Sequence, residues 1–222
     1  MGKEYTRALT TLGIIPIAGQ IILHDDFEQL LKFTQLLGEG DSIFELDPSL
    51  CKQGSQSLHL KTRTAEAAIG DAIQANTLTH LLPSKILTFI GSFRLPSNTT
   101  PAFLQFAFTF DDGSVAYVSA VNFNPNTPDW EYQTTGSALI SIPGSDIQLA
   151  PLCWHQVILK IDFATKKYIS FSVDNLFADL SSIALDTTGS ASQITFTPAF
   201  TIETAGAAPT EVNFDEFIIH EI

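Results

Sequence analysis

Charge is scarce in this chain, and positive charge scarcer still. Charged residues make up 16% of 222 positions, against about 25% in an average soluble domain. Eleven Lys and Arg face 24 Asp and Glu, which leaves a net charge of −13. No Lys or Arg occurs between Arg94 and Lys160, and none after Lys167. Binding a phosphate backbone needs clustered cations, so a nucleic-acid partner is excluded. Anionic membranes are disfavoured for the same reason. The acidity reads first as solubility and mutual repulsion of monomers, with cation binding as the functional alternative. Cysteine is nearly absent too. Cys51 and Cys153, far apart in the chain, make neither a disulfide framework nor a metal motif. Both are expected to be buried free thiols, which behave as small hydrophobes, in a chain made in a reducing compartment. No apolar run approaches the ~20 residues of a membrane helix. No long stretch carries the 3.6-residue periodicity of a helical bundle. Lys3 and Arg7 precede an apolar run over 12–18, but Gly13 and Pro16 break it and Glu4 sits among the cations. Synthesis in the cytoplasm without a signal peptide is therefore expected.

What the chain does have is 45% hydrophobic residues, 17 Phe and many Ser and Thr. Branched and aromatic side chains fit a pleated, half-buried surface, and so much apolar content excludes disorder. Over 103–110, Leu104, Phe106, Phe108 and Phe110 alternate with Gln105, Ala107 and Thr109, the two-residue period of a strand with one face in a core. Asp112-Gly113 after it is a tight-hairpin signal. Strands are expected at 20–24, 42–46, 56–62, 67–78, 85–95, 103–110, 115–123, 130–133, 138–142, 154–163, 167–173, 176–180, 193–203 and 212–222. Segment 27–37 reads as a short helix or an irregular stretch. Many short strands with turns every 8–12 residues imply an all-β sandwich or barrel. The expected organisation is an N-terminal arm, 1–20, and one β-sandwich domain, 21–222.

Several phrases share an order with one architecture. Asp25-Asp26-Phe27-Glu28 follows the first strand, and Gly54-Ser55-Gln56-Ser57-Leu58-His59-Leu60 comes some way later. Trp154-His155-Gln156-Val157 opens a hairpin that Val173-Asp174-Asn175 closes, and Phe214-Asp215-Glu216-Phe217 lies in the last strand. That order resembles the concanavalin A-like, or laminin G-like, domain. The resemblance implies a two-sheet antiparallel jelly-roll sandwich over about residues 20–222. The fold hosts lectins, glycosidases, lyases, carbohydrate-binding modules and structural virion domains, so function has to be argued from the site. The resemblance also invites a test for catalysis. Family 16 glycoside hydrolases of this fold use a motif resembling Glu-x-Asp-x-x-Glu. Here Phe44-Glu45-Leu46-Asp47 starts that pattern and Pro48-Ser49-Leu50 ends it without the second carboxylate. Lyases of similar fold need basic residues near the cleft, and 95–159 offers no Lys or Arg. His155 and Tyr132 are left as candidates, with a half-buried strand His the commoner explanation. A non-enzyme is expected.

Two sites are expected from chemistry. Asp25, Asp26 and Glu28 end the first strand and Asp215 lies in the last; first and last strands often pair in this fold. Their oxygens would suit a structural Ca²⁺ at ~2.3–2.6 Å; otherwise they cap turns or face solvent. Sugar binding needs exposed aromatic faces beside hydrogen-bonding groups, and residues 122–132 supply both. Asn124, Asn126, Asp129, Trp130 and Tyr132 form the expected glycan site, with Trp130 and Tyr132 on one face of an extended segment. The alternative is that the two rings are core or interface aromatics.

The sequence thus favours a non-catalytic structural subunit of a large assembly, a tailed-phage-like virion, that docks on neighbouring subunits as a homo-oligomer. A carbohydrate-binding module is the alternative, and a divergent glycan-active enzyme the third reading. The arm carries Leu9, Leu12, Ile14, Ile15 and Ile17. Burial of each contributes roughly 1.5–3 kcal/mol, while ordering costs about 1–2 kcal/mol per residue. An arm of twenty residues therefore needs a folded surface to dock on, its own sandwich or a neighbour's. With a neighbouring subunit as that surface, deleting 1–20 should leave the melting temperature of the isolated domain nearly unchanged and abolish assembly. Light scattering of full-length and truncated chains checks this; two equal, monomeric species would remove the arm's assembly role.

Overall fold

The alternation in the Phe-rich segment is realised side chain by side chain. Leu104, Phe106, Phe108 and Phe110 are buried, and Gln105, Ala107 and Thr109 between them are half-buried. The computed structural model describes residues 20–28, 32–38, 40–65, 67–78, 86–96, 101–124, 127–146, 149–190, 193–206 and 208–222. Among these there are sixteen strands and no helix. One sheet comprises β13 (Leu176–Asp179), β12 (Lys167–Val173), β11 (Trp154–Asp162), β6 (Ile86–Arg94), β16 (Glu211–Glu221), β4 (Ser57–Lys61) and β3 (Ile43–Asp47), in that order, with β1 (Gln20–Asp25) beside β16. The other comprises β10 (Ala138–Ser141), β9 (Asp129–Thr134), β8 (Val115–Asn124), β7 (Pro101–Asp112), β15 (Ile194–Thr204), β5 (Ala72–Asn76) and β2 (Thr34–Leu37), with β14 (Asp186–Gly189) beside β8. All pairings are antiparallel.

The two inner faces meet through aromatic rings. Phe200 of β15 stacks on Phe214 of β16 at 4.5 Å, and Phe106 of β7 lies 5.6 Å from Phe93 of β6. Toward one flank, Trp130 of β9 meets Phe171 of β12 at 4.9 Å. Such ring pairs add about 0.5–1.5 kcal/mol each beyond the area they bury.

One strand changes partner midway. β8 pairs with β14 over Val115–Val118 and with β9 over Val121–Asn124. Tyr168 fills the gap between them. Its hydroxyl accepts from the Ala120 N–H at 2.9 Å and donates toward the Gln133 carbonyl at 2.8 Å. Burial raises the phenol's pKa, so it stays protonated and keeps its donor.

The structure departs from the sequence expectations in a few places. Segment 27–37 contains no helix among its described residues; it ends in β2, whose four residues are all exposed. β14 was not expected, because Asp-Thr-Thr-Gly has no apolar alternation. The thiols are not both buried: Cys153 is exposed and Cys51 half-buried, and both are free. The arm residues Leu9, Leu12, Ile14, Ile15 and Ile17 lie outside the described residues. Tyr168→Phe should leave a buried N–H and carbonyl unpaired at the β8 gap. The expected cost is about 1–3 kcal/mol, read from the urea midpoint of the variant against the parent chain.

Candidate functional site

The expected glycan site divides between two faces. Trp130 and Tyr132 do share one side of β9, but that side is the core. Trp130 is 0% exposed and Tyr132 8%, with Trp130 ringed by Phe93, Phe106, Phe123 and Phe171. They are no sugar platform: β9 is an inner strand of a two-layer sandwich, and its large rings go to the layer that excludes water. Their polar neighbours face the other way. Asn124 and Asp129 are a cross-strand pair, both half-buried, on the outward side. Asn126 lies outside the described residues.

That outward side carries an arrangement the sequence conceals. In strict register across the sheet stand Gln74, Thr201, Gln105, Asn122, Glu131 and Ser141. They come from six strands, β5, β15, β7, β8, β9 and β10, and every one is polar. At about 4.8 Å per strand the row is roughly 24 Å long. Beside it runs a row of small residues, Ala199, Ala107 and Ala120, and beyond that Thr197, Thr109 and Val118. The low alanine row between two taller ones makes a shallow trough across the strands. Gln74 donates to Thr201 Oγ1 at 2.8 Å. Asn122, 2% exposed, is different: its side-chain carbonyl oxygen has no hydrogen-bond partner. A buried acceptor left unpaired costs about 1–3 kcal/mol, and this oxygen, closed off from solvent, carries that cost within the sheet. Phe103 lies two residues from Gln105 on the same side of β7, next to Glu203. It is half-buried, and no aromatic ring among the described residues contacts it.

The electrostatics of this face are one-sided. The eight strands of this sheet contain no Lys, Arg or His, and six carboxylates: Asp111, Asp112, Asp129, Asp186, Glu131 and Glu203. Hydrogen bonds from Ser114 and Val115 hold Asp112 down to about 2. Glu131 and Glu203 accept no hydrogen bond or ion pair among the described residues. They stand three strands apart, about 14 Å, far beyond the 5–9.5 Å of a glycosidase pair. Asp129, nearer to Glu131, is tied by hydroxyls of Thr127 at 2.9 Å and Ser141 at 2.6 Å. Glu45 and Asp47 lie in the opposite sheet, on edge strand β3. Asp47 is held by Ser49 and Asn213. His155 is 5% exposed, with Nδ1 2.6 Å from Asp174 and Nε2 2.9 Å from the Ala150 carbonyl, so both ring nitrogens have structural work.

The expected calcium ligands do not converge. Asp25 accepts the Phe27 and Lys32 N–H groups, and Asp26 that of Glu28. Glu28 reaches across to Ser55 and Gln56. Asp215, 1% exposed, accepts the Lys52 and Gln53 N–H groups at 2.7 and 3.0 Å, and burial raises its pKa. The Lys52 ammonium sits 2.6 Å from Glu216. Among the described residues no cluster of acids or histidines could hold a metal. First and last strands do pair, but the carboxylates are spent on loop N–H groups, and a lysine supplies the positive charge.

No family model matches the chain, and no curated protein matches it. Solved structures do. The chain is similar to the cellulose-induced protein Cip1, at 14% identity and TM-score 0.60, over 90% of this chain and 97% of that one. It is similar to peanut lectin at 11% identity and TM-score 0.54, over 91% and 99%. It is also similar to the CBM2 module of the evolved Dit of Lactobacillus casei BL23 phage J-1, at 11% identity and TM-score 0.52, over 93% and 97%. These likenesses show the fold, a concanavalin A-like jelly roll.

Glu203 offers a pH test of this face. Burial raises its carboxyl pKa above the ordinary 4.5. The folded chain therefore holds this proton more tightly than the unfolded chain. The associated stability is present at low pH and lost as pH rises through the raised value. Glu203→Gln should melt higher than the parent at about pH 7, with the gap closing toward about pH 4; a gap independent of pH would assign the effect to packing.

Proposed function

We propose that this chain is a non-catalytic carbohydrate-binding sandwich that takes a neutral, hydroxyl-rich glycan across the outward face of the β7–β8 sheet. The observation that carries the reading is the polar row registered across six strands. Amide and hydroxyl side chains from five strands, with the Glu131 carboxylate from a sixth, match the donors and acceptors of an oligosaccharide, and Phe103 offers a ring face beside them. A sheet without a cation and with free carboxylates repels uronate or sulfated chains, which selects neutral sugars. The absence of cations from these strands also counts against a lyase site on this face.

A second reading, as a subunit of a larger assembly such as a virion, is favoured by exposed apolar residues on strand β10. It is compatible with the first, as a binding domain displayed on a particle. Affinity electrophoresis against xylan, mixed-linkage glucan and glucomannan, with alginate and polygalacturonate alongside, tests the glycan reading. Retardation by at least one neutral polymer and by neither anionic one is expected. Phe103→Ala and Gln105→Ala should each abolish it with circular dichroism unchanged. Indifference to all three neutral polymers, or binding untouched by both substitutions, would overturn it.

A further inference from the structure

We infer that Glu203 and Phe103 form the recognition subsite of the outward face, with Phe103 carrying a sugar ring and the Glu203 carboxylate accepting a pair of adjacent hydroxyls. The subsite, which rests on the glycan reading above, selects a pyranose with a free vicinal diol. β15 and β7 run side by side here. Glu203 stands opposite Phe103, and Thr201 opposite Gln105. Ile202 and Leu104 between them are both 0% exposed, so the alternation of a strand turns the other four side chains outward. Across β15 the next strand presents Ala72 opposite Glu203 and Gln74 opposite Thr201.

Glu203 stands out because it holds nothing. Most carboxylates in the strands of this sheet are engaged. Asp111 accepts the Gly113 N–H at 2.8 Å and the Ser190 hydroxyl at 2.6 Å. Asp112 accepts the Ser114 and Val115 N–H groups, both at 2.9 Å. Asp129 is tied by Thr127 and Ser141. Asp186, 2% exposed, accepts Gln133 Nε2 at 2.8 Å and the Gly136 and Ser137 N–H groups at 2.9 and 3.0 Å. Glu131 accepts nothing either, but its cross-strand neighbours are Asn122 and Ser141, with no ring between them. Glu203 is half-buried and beside a ring. Burial without a partner raises its pKa, so its ionisation at neutral pH works against the fold. A glutamine would fill the same space without that cost. An acid where an amide of the same shape is more stable is the local inconsistency expected of a functional position.

An ionised carboxylate is an acceptor only, with two oxygens in one plane. It suits two neighbouring O–H donors at once, and such charge-assisted bonds are about twice as strong as neutral ones. A pyranose supplies both halves of the match: a C–H face for the ring of Phe103 and adjacent hydroxyls at its edge. Gln105, half-buried, adds an amide beside them. Binding in this mode needs the proton off Glu203, so affinity is highest at neutral pH and falls as pH drops through the raised value. Among the described residues no other charged group faces Glu203. β5 presents Ala72 and Gln74, β7 presents Phe103 and Gln105, and Asp71, just before β5, is turned to Arg63 at 2.6 Å and the Ala68 N–H at 2.7 Å.

Isothermal titration calorimetry of the full chain with xylohexaose, cellohexaose and mannohexaose, at about pH 7 and about pH 4 and beside thermal melts, tests the subsite. The parent should bind at least one of them, about tenfold more weakly at the lower pH. Glu203→Gln should bind about tenfold more weakly than the parent at neutral pH, with no further loss in acid, while melting higher. Weaker binding on a firmer fold is a split that lost packing does not produce. Glu203→Asp, which keeps the charge, should keep the pH dependence, and Glu45→Gln on the opposite sheet should match the parent throughout. A parent that binds none of the three overturns the glycan reading and the subsite with it. Binding that is unchanged in Glu203→Gln, that still weakens in acid there, or that is lost together with its melting temperature overturns the subsite alone.

Discussion

A seam of phenylalanine rings between the sheets sets the terms for every other part of this molecule. Fourteen of the 17 Phe are buried in it. Phe106 alone contacts Phe89, Phe93, Trp130, Phe200 and Phe214. Because a strand places successive side chains on opposite faces, giving one face to large rings fixes the register of every strand. The residues between the rings are then brought into line on the outer face as well. The polar row is thus a by-product of core packing made useful: its members hold a common height because Leu104, Phe106, Phe200 and Val121 are locked beneath. Of the remaining Phe, Phe44 packs against the core from its margin, while Phe103 and Phe177 lie on outer surfaces, where burial does not explain them.

The two sheets also divide the charge. Lys61, Arg94, Lys160, Lys167 and His24, His59, His155 and His220 all lie in strands of the β6–β16 sheet, and none in the other. Several are paired there: His59 lies within 4 Å of Glu45 and Glu211, and Lys61 of Glu211. The loops continue the segregation, with Lys52 on Glu216 and Arg63 on Asp71. One surface therefore carries ion pairs, and the other a field of amides, hydroxyls and carboxylates without a cation among its strands.

Much of the fold was legible in the sequence because one-sided burial writes a period of two. Residues 103–110 and 154–163 announce their strands, and Asp112-Gly113 announces the turn between β7 and β8. β2 and β14 were illegible for the same reason inverted: both are edge pieces with no buried face to impose alternation. Of the candidate site, the outward placement of Asn124 and Asp129 was legible, since polar residues flanking an aromatic run stand out locally. Trp130 and Tyr132 were misplaced, because i and i+2 spacing shows that two rings share a side without showing which side. The row from Gln74 to Ser141 joins residues up to 127 positions apart in the chain, as between Gln74 and Thr201. It exists only once register is set, and no local window contains it. The acids near Asp25 and Asp215 looked like ligands because sequence shows charge but not the loop N–H groups that consume it.

The partner change in β8 links core, site and edge. A strand shared between β9 and β14 leaves Ala120 without a backbone partner on that side, and Tyr168 closes the opening from the opposite sheet. Gln133 sits at the same junction and is held twice, its carbonyl by Tyr168 and its amide by Asp186. From that point the β9–β10 hairpin projects as a narrow tongue, while β14 occupies the rest of the flank. The tongue is short because β14 competes for β8, and it is rigid because Gln133, Gly136 and Ser137 converge on one buried carboxylate. A longer sheet edge would need charge to keep it from pairing indiscriminately.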